Sequence, residues 1–101
     1  MSYSIEILRA ADKFLDKLSK QQPSDADAIE VAIDGLSDAP RPHGCKPLKG
    51  YSDIWRIRVG NYRICYQVDD GELLVLVITI STRDDVYDAL RRYLGRRSVG
   101  R

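Results

Sequence analysis

Little in this chain suits metal or imidazole chemistry: its 101 residues include two cysteines and one histidine. Cys45 and Cys65 are too few for a disulfide scaffold, and they lack the spacing of a metal-ligand pair. His43 stands alone, which excludes any mechanism that needs a second imidazole, and its proline-rich surroundings read as surface. No cluster of His, Cys or carboxylate residues has ligand spacing, so neither a metal nor a cofactor is expected. Long apolar runs are missing too. The longest, Leu73 to Ile80, contains Thr79 and is far too short to cross a bilayer. The opening Met1-Ser2-Tyr3-Ser4-Ile5-Glu6 has no basic leader and no apolar signal core. The expectation is a soluble, cytoplasmic protein with no membrane partner. Repeats, low-complexity tracts and long linkers are absent, so residues 1–101 read as one domain, with 95–101 as a flexible basic tail.

What is present is an ordinary globular composition, 44% hydrophobic and 31% charged, with a formal net charge of +1. That small charge conceals an asymmetry. Residues 1–40 carry four Lys/Arg against eight Asp/Glu, whereas residues 41–101 carry twelve against seven. Five of the last eleven residues are arginine. The second half therefore suits a polyanion, or else simply forms a basic face, while the first half suits a solvated scaffold.

The periodicities give an order of elements. Tyr3 to Leu8 alternates, with Tyr3, Ile5 and Ile7 on one side, and predicts a strand. Ala11, Phe14, Leu15 and Leu18 recur at helical spacing across residues 10–20. After Gln21-Gln22-Pro23, Ser24 is the expected N-cap of a second helix, with Asp25 and Asp27 in its first turn. Ala26, Ile29, Ala32, Ile33 and Leu36 form its stripe. Residues 39–50 make a loop with three prolines and two glycines that carries Arg41, Lys46 and Lys49. Strands follow at Ile54 to Val59 and Tyr62 to Val68, around the two-residue turn Gly60-Asn61. Asp70-Gly71 predicts a second tight turn before Leu73 to Ile80. Val86, Ala89, Leu90 and Tyr93 share one face of a helix over Asp84 to Leu94, with Gly95 as its C-cap. The predicted order is β-α-α-β-β-β-α, an α+β domain. In it a strand and a helical hairpin pack on a mainly antiparallel four-stranded sheet, followed by a C-terminal helix.

The Gly60-Asn61 turn also predicts a register. Val59 should face Tyr62, Arg58 face Arg63, Ile57 face Ile64 and Arg56 face Cys65. Opposite partners share a face, so Trp55, Ile57, Val59, Tyr62, Ile64 and Tyr66 point toward the helices. Arg56, Arg58 and Arg63 then point the other way. Folding does not require three guanidiniums there. Either Asp84, Asp85 or Glu72 neutralises them, or they form a surface matched to phosphate. With Asp70-Gly71 as the loop, Leu74, Leu76, Ile78 and Ile80 would share the arginine face. The C-terminal helix would then cover part of that face and leave a groove. Arg83 and Tyr87 fall one helical turn apart at the exit of the last strand. Tyr87 reads either as a packing residue or as a phenol acidified by nearby positive charge. Cys65, beside the arginines, reads as a small hydrophobe without a role.

Three stretches together resemble the RelE/ParE superfamily of bacterial toxins. They are Leu48-Lys49-Gly50, the run from Trp55 to Tyr66, and Arg83-Asp84-Asp85-Val86-Tyr87. They match a leucine-basic-glycine loop, an Arg-x-Arg-x-Gly-x-Tyr-Arg-x-x-Tyr hairpin and a closing Arg-x-x-Val-Tyr. For the RelE branch the resemblance implies a metal-independent, ribosome-dependent endoribonuclease that cuts messenger RNA in the decoding site. The products would be a 2′,3′-cyclic phosphate and a 5′-hydroxyl. It also implies a cognate antitoxin as partner, in a hetero-oligomer. The alternative within the superfamily is a ParE-like inhibitor of DNA gyrase without catalytic activity.

The resemblance implies a catalytic set of Arg56, Arg58, Arg63, Arg83 and Tyr87, with Lys46 and Lys49 as RNA-binding residues. Arg56 and Arg58 stand where some relatives carry lysine, and Thr82 stands where many carry histidine. In such a site Tyr87 would take the 2′-hydroxyl proton, while Arg63 and Arg58 would stabilise the phosphorane. Arg83 or Arg56 would sit at the leaving oxygen.

Overall fold

A computed structural model describes residues 2–82 and 90–94. The first strand, β1 (Ser4–Ile7), is followed by the helices α1 (Arg9–Gln21) and α2 (Pro23–Gly35). Four further strands are β2 (Lys46–Pro47), β3 (Ile54–Val59), β4 (Tyr62–Asp69) and β5 (Leu74–Ser81). They form one sheet in the order β1-β5-β4-β3-β2. Among the described residues only β1 pairs in parallel, with β5. Residues 90–94 are helical, while the remainder of the expected helix, its Gly95 cap and the tail lie outside the described residues.

The α+β architecture is as expected, but the sheet has five strands rather than four. The extra strand is the two-residue β2, which pairs Lys46 with Arg56 and Pro47 with Trp55 at the edge of β3. No periodicity reveals so short a strand, and its proline is tolerated because β2 is the edge. A second correction concerns the start of α2. Its N-cap is Gln22, with no side-chain cap bond, and Pro23 occupies the first turn. Proline's fixed φ favours that position, so Ser24 falls inside the helix rather than capping it.

Two apolar clusters sandwich the sheet. On one side Ala11, Leu15 and Leu18 of α1, with Ala26, Ile29, Ile33 and Leu36, pack on Ile57, Ile64, Tyr66, Val68, Val75, Val77 and Ile80. The stripes read from the sequence are thus the buried faces. On the other side Ile54, Cys65 and Ile78 meet Leu90 and Leu94. The segment 90–94 therefore covers part of the face opposite the helical hairpin, as the apolar residues of β5 require.

The β4–β5 connection departs from the two-residue turn read at Asp70-Gly71. It spans four residues, 70–73, because Asp69 faces Leu74. Leu73 adopts φ +51 there, and the Glu72 amide donates to the Asp69 carboxylate at 3.0 Å. The pairing slips by two residues, which preserves parity, so Leu76 still shares the arginine face. Ile80 does not. A bulge opposite Cys65 and Tyr66 inserts one residue in β5, Ile80 pairs with Ile64, and its side chain joins the core under the helices.

Tyr66 is fully buried, and its hydroxyl donates to the Pro40 carbonyl at 2.7 Å. This bond ties the proline-rich loop to the centre of the sheet. Tyr66→Phe keeps the ring and removes the bond, and it is expected to lower unfolding free energy by about 1 kcal/mol in urea titrations. An unchanged midpoint would show that the loop is held by other contacts.

Candidate functional site

The β3–β4 hairpin builds the site. Gly60, the first loop residue, has φ +59, the pattern of a type II′ turn in which glycine occupies the first central position. The observed pairs are the predicted ones: Val59 with Tyr62, Arg58 with Arg63, Ile57 with Ile64 and Arg56 with Cys65. Alternation then sends Trp55, Val59 and Tyr62 against the helix-side core and the three arginines to the opposite face.

Pairing with the flanking strands extends the arginine face into two rows. One row runs Lys46, Arg56, Cys65, Thr79, and the next runs Arg58, Arg63, Ser81. Same-face neighbours lie roughly 7 Å apart along a strand and about 5 Å across strands. Lys46, Arg56, Arg58 and Arg63 are thus gathered into one patch. Among the described residues, Lys46, Arg56 and Arg58 have no carboxylate partner; the ion pairs lie elsewhere, at Lys20–Asp16 and Arg41–Asp70. Glu72 does not neutralise the patch, and Asp84 and Asp85 lie outside the described residues.

Arg63 is held in place. Its guanidinium donates to the Thr82 carbonyl at 3.2 Å, so it pins the exit of β5 immediately before Arg83. A shallow depression of about 400 Å³ opens between Arg58, Arg63, Thr82 and the hairpin tip. A larger one, about 480 Å³ between α1 and α2, is lined by Asp12, Asp16, Glu30 and Asp34 and would repel a polyanion.

Cys65 forms the floor beneath the cations. Burial pushes its thiol up to about 11, against the opposing pull of Arg56 and Arg63. The desolvated sulfur is therefore a neutral packing atom rather than a nucleophile.

The other predicted residues separate from this patch. Lys49 stands at the tip of the loop preceding β3, with Tyr51 and Arg91 around a depression of about 390 Å³. His43 is exposed. Arg83 and Tyr87 lie outside the described residues.

Arg41 is the residue whose fate the sequence did not disclose. Both terminal guanidinium nitrogens donate to Asp70, at 3.2 and 2.8 Å, and the group lies 5.3 Å from the Trp55 ring centroid. Tyr3 adds a hydrogen bond from its hydroxyl to the same carboxylate at 2.6 Å. The donated bonds hold Asp70 below its ordinary carboxylate range, chiefly through Arg41, and the Asp70 bond raises Arg41. Arg41 thus clamps the loop to the β4–β5 turn. The available signal, an acid in that turn, becomes readable only once the fold brings the two together.

Comparison with known proteins gives a consistent group of matches. Residues 5–87 match the family model described as the ParE toxin of the type II toxin–antitoxin system parDE. Toxin RelG of Mycobacterium tuberculosis is 31% identical over 88 residues, covering 86% of this chain and 98% of the relative. A mutant of the E. coli toxin RelE in its free state superposes with a TM-score of 0.74 at 26% identity, over 91% of this chain and 98% of that one. The archaeal RelE of the RelE–RelB complex from Pyrococcus horikoshii gives 0.71 at 25% identity, over 83% and 98%.

The two thiols should differ sharply in reactivity. Cys45 is half-buried while Cys65 is fully buried. At pH 8 a thiol titrating near 11 is thiolate in roughly one molecule in a thousand. A chromogenic disulfide reagent is expected to label Cys45 alone in the native protein and both after unfolding. Rapid native labelling of Cys65 would place that sulfur in solvent and contradict the packing described.

Proposed function

Since the chain belongs to the ParE toxin family of type II toxin–antitoxin systems, within the RelE/ParE superfamily, we propose that it is an endoribonuclease of the RelE kind. In this reading it cuts messenger RNA on the ribosome and is neutralised by a cognate antitoxin. One observation carries the reading. Lys46, Arg56, Arg58 and Arg63 share one sheet face, and three of them lack a carboxylate partner among the described residues.

The proposed chemistry is an internal displacement. The 2′-hydroxyl loses its proton to Tyr87, which enters as the phenolate that neighbouring cations favour and leaves as the phenol. The O2′–P bond forms, and negative charge grows on the phosphorane oxygens. Arg58 and Arg63, adjacent across the hairpin, meet that charge with planar donors. The P–O5′ bond breaks and the 5′-oxygen takes a proton, with Arg83 or Arg56 stabilising it. Guanidinium is a poor proton donor, so those arginines act by charge, and the proton comes from water or from the ribosome. Arg63 has a second duty through Thr82, since it fixes the backbone that leads into Arg83.

The antitoxin reading follows from the same face. The Pyrococcus horikoshii relative is solved as a RelE–RelB complex. A flexible acidic and amphipathic segment would satisfy the arginines and, by displacing the C-terminal helix, the apolar face around Ile78 that segment 90–94 covers, excluding RNA by occupancy.

Primer extension on a reporter message after brief induction tests the proposal. Tyr87→Phe, which keeps the ring and loses only the hydroxyl, is expected to slow cleavage about 100- to 10,000-fold. Arg63→Ala is expected to lose cleavage, with Arg63→Lys recovering only part because the bond to Thr82 depends on the guanidinium. Full toxicity with unchanged cut sites in Tyr87→Phe would remove the tyrosine from the base role. A wild-type chain that cuts no message but stalls gyrase would overturn the nuclease reading.

A further inference from the structure

Beyond the arginine face, Val31 and Tyr51 are the exposed large apolar side chains among the described residues, and Tyr51 is the aromatic one. Tyr51 is 36% exposed and belongs to neither apolar cluster. It is not displayed on a loose loop. The Tyr51 amide donates to the Leu48 carbonyl at 3.1 Å, and Gly50 at φ +92 occupies the third position of that turn. These are the features of a type II turn, which needs glycine there. The turn is itself anchored. The Leu48 amide donates to the Ile54 carbonyl at 2.9 Å, and the Leu48 side chain packs against the cluster of Ile54, Leu90 and Leu94.

The surroundings of this ring are cationic. Lys49 precedes it by two residues, and Arg91 of the helical segment lines the same depression of about 390 Å³. No more than roughly 11 Å of chain separates Lys49 from Lys46, which stands opposite Arg56 on the arginine face. A flat, half-open ring on a fixed turn, beside two cations and next to a basic track, fits an unpaired nucleotide. The ring takes the base by stacking and the cations take its phosphates.

We propose that Tyr51, with Lys49 and Arg91, is a stacking seat for one unpaired RNA nucleobase, outside the arginine patch. The seat rests on the RNA-cleaving reading, and it assigns a contact that orients the strand rather than one that reacts with it.

The test uses the purified full chain and a short fluorescein-labelled oligoribonucleotide, 2′-O-methylated at every position so that no hydroxyl can attack. Binding is read by anisotropy across a salt series. Tyr51→Leu, which keeps bulk and removes the aromatic face, is expected to weaken binding about 5- to 100-fold. Tyr51→Phe should stay within about twofold of wild type, since stacking does not use the hydroxyl. Lys49→Ala should reduce the logarithmic salt slope by roughly 0.7. A second arm repeats the comparison with ribosomes free of message. Loss confined to the oligonucleotide assigns the seat to the substrate strand, and loss confined to the ribosome assigns it to structural RNA.

Wild-type affinity of Tyr51→Leu for both, at an unchanged melting temperature, would overturn the seat. Should Tyr51→Leu fail to fold, Tyr51→Trp gives an independent readout. Emission of the added indole, above that of Trp55, is expected to be quenched on binding, and unquenched emission at normal affinity would equally overturn the seat. The two proposals fail separately. A chain that binds the oligonucleotide through Tyr51 but cuts no message loses the nuclease reading alone. One that cuts message while Tyr51→Leu binds normally loses the seat alone.

Discussion

The register of the β3–β4 hairpin is the constraint from which the rest of the molecule follows. Strand side chains alternate with a period of two, so a slip of one residue would invert one strand against the other and turn Arg56 and Arg58, or else Arg63, into the helix-side core. It would also expose Ile57, or else Ile64 and Tyr66, all of which are buried. That exchange is prohibitive, because unpaired buried guanidiniums cost several kcal/mol each and lost apolar burial adds about 2 kcal/mol per side chain. The helices supply the apolar surface that makes one register win. Gly60 supplies the turn that lets it close, since its φ of +59 is a conformation other residues resist. Specifying the core and displaying the cations are therefore one event.

The display has a cost that the folded chain retains. Arg58 and Arg63 sit directly across from one another, and Lys46 sits across from Arg56. Like charges directly opposite one another on paired strands destabilise by a few tenths of a kcal/mol to about 1 kcal/mol per pair. The bond from Arg63 to Thr82 satisfies one donor of the hairpin pair. An anion placed on this face would relieve the repulsion, so binding there is favoured by release of strain as well as by direct attraction. The same argument applies to an RNA phosphate and to a carboxylate of an antitoxin, which makes the face a natural point of competition between them.

How much of this was legible in the sequence depended on whether a local rule governed each feature. The helix stripes, the hairpin register and the gathering of Arg56, Arg58 and Arg63 followed from periodicity and one turn. The Asp70-Gly71 turn was read too short, yet Leu76 still landed on the predicted face because a shift of two leaves parity intact. Ile80 did not survive, since a bulge changes parity and carries no reliable signature in one sequence. Strand β2 is set by a neighbour more than by its own residues, and proline geometry overrode the capping preference of Ser24. The site itself was legible only in part: its sheet residues come together as read, while Arg83 and Tyr87 fall outside the described residues.

Charge counted along the chain also differs from charge offered to a ligand, as the loop before β3 illustrates. Its three cations meet three fates. Arg41 is consumed by Asp70 and Trp55, and it serves to hold the loop against the sheet. Lys46 joins the ladder beside Arg56 because a two-residue strand aligns it there. Lys49 is carried to the tip of a glycine-dependent turn, beside Tyr51 and Arg91. The clamp made by Arg41 fixes the loop from which the other two project, so the residue with no free charge helps determine where theirs is presented. Neutralising Asp70 would thus act on the basic face indirectly, through the position of the loop rather than through its own charge. The basic face is in this sense built on one solvent-exposed ion pair as well as on its own arginines.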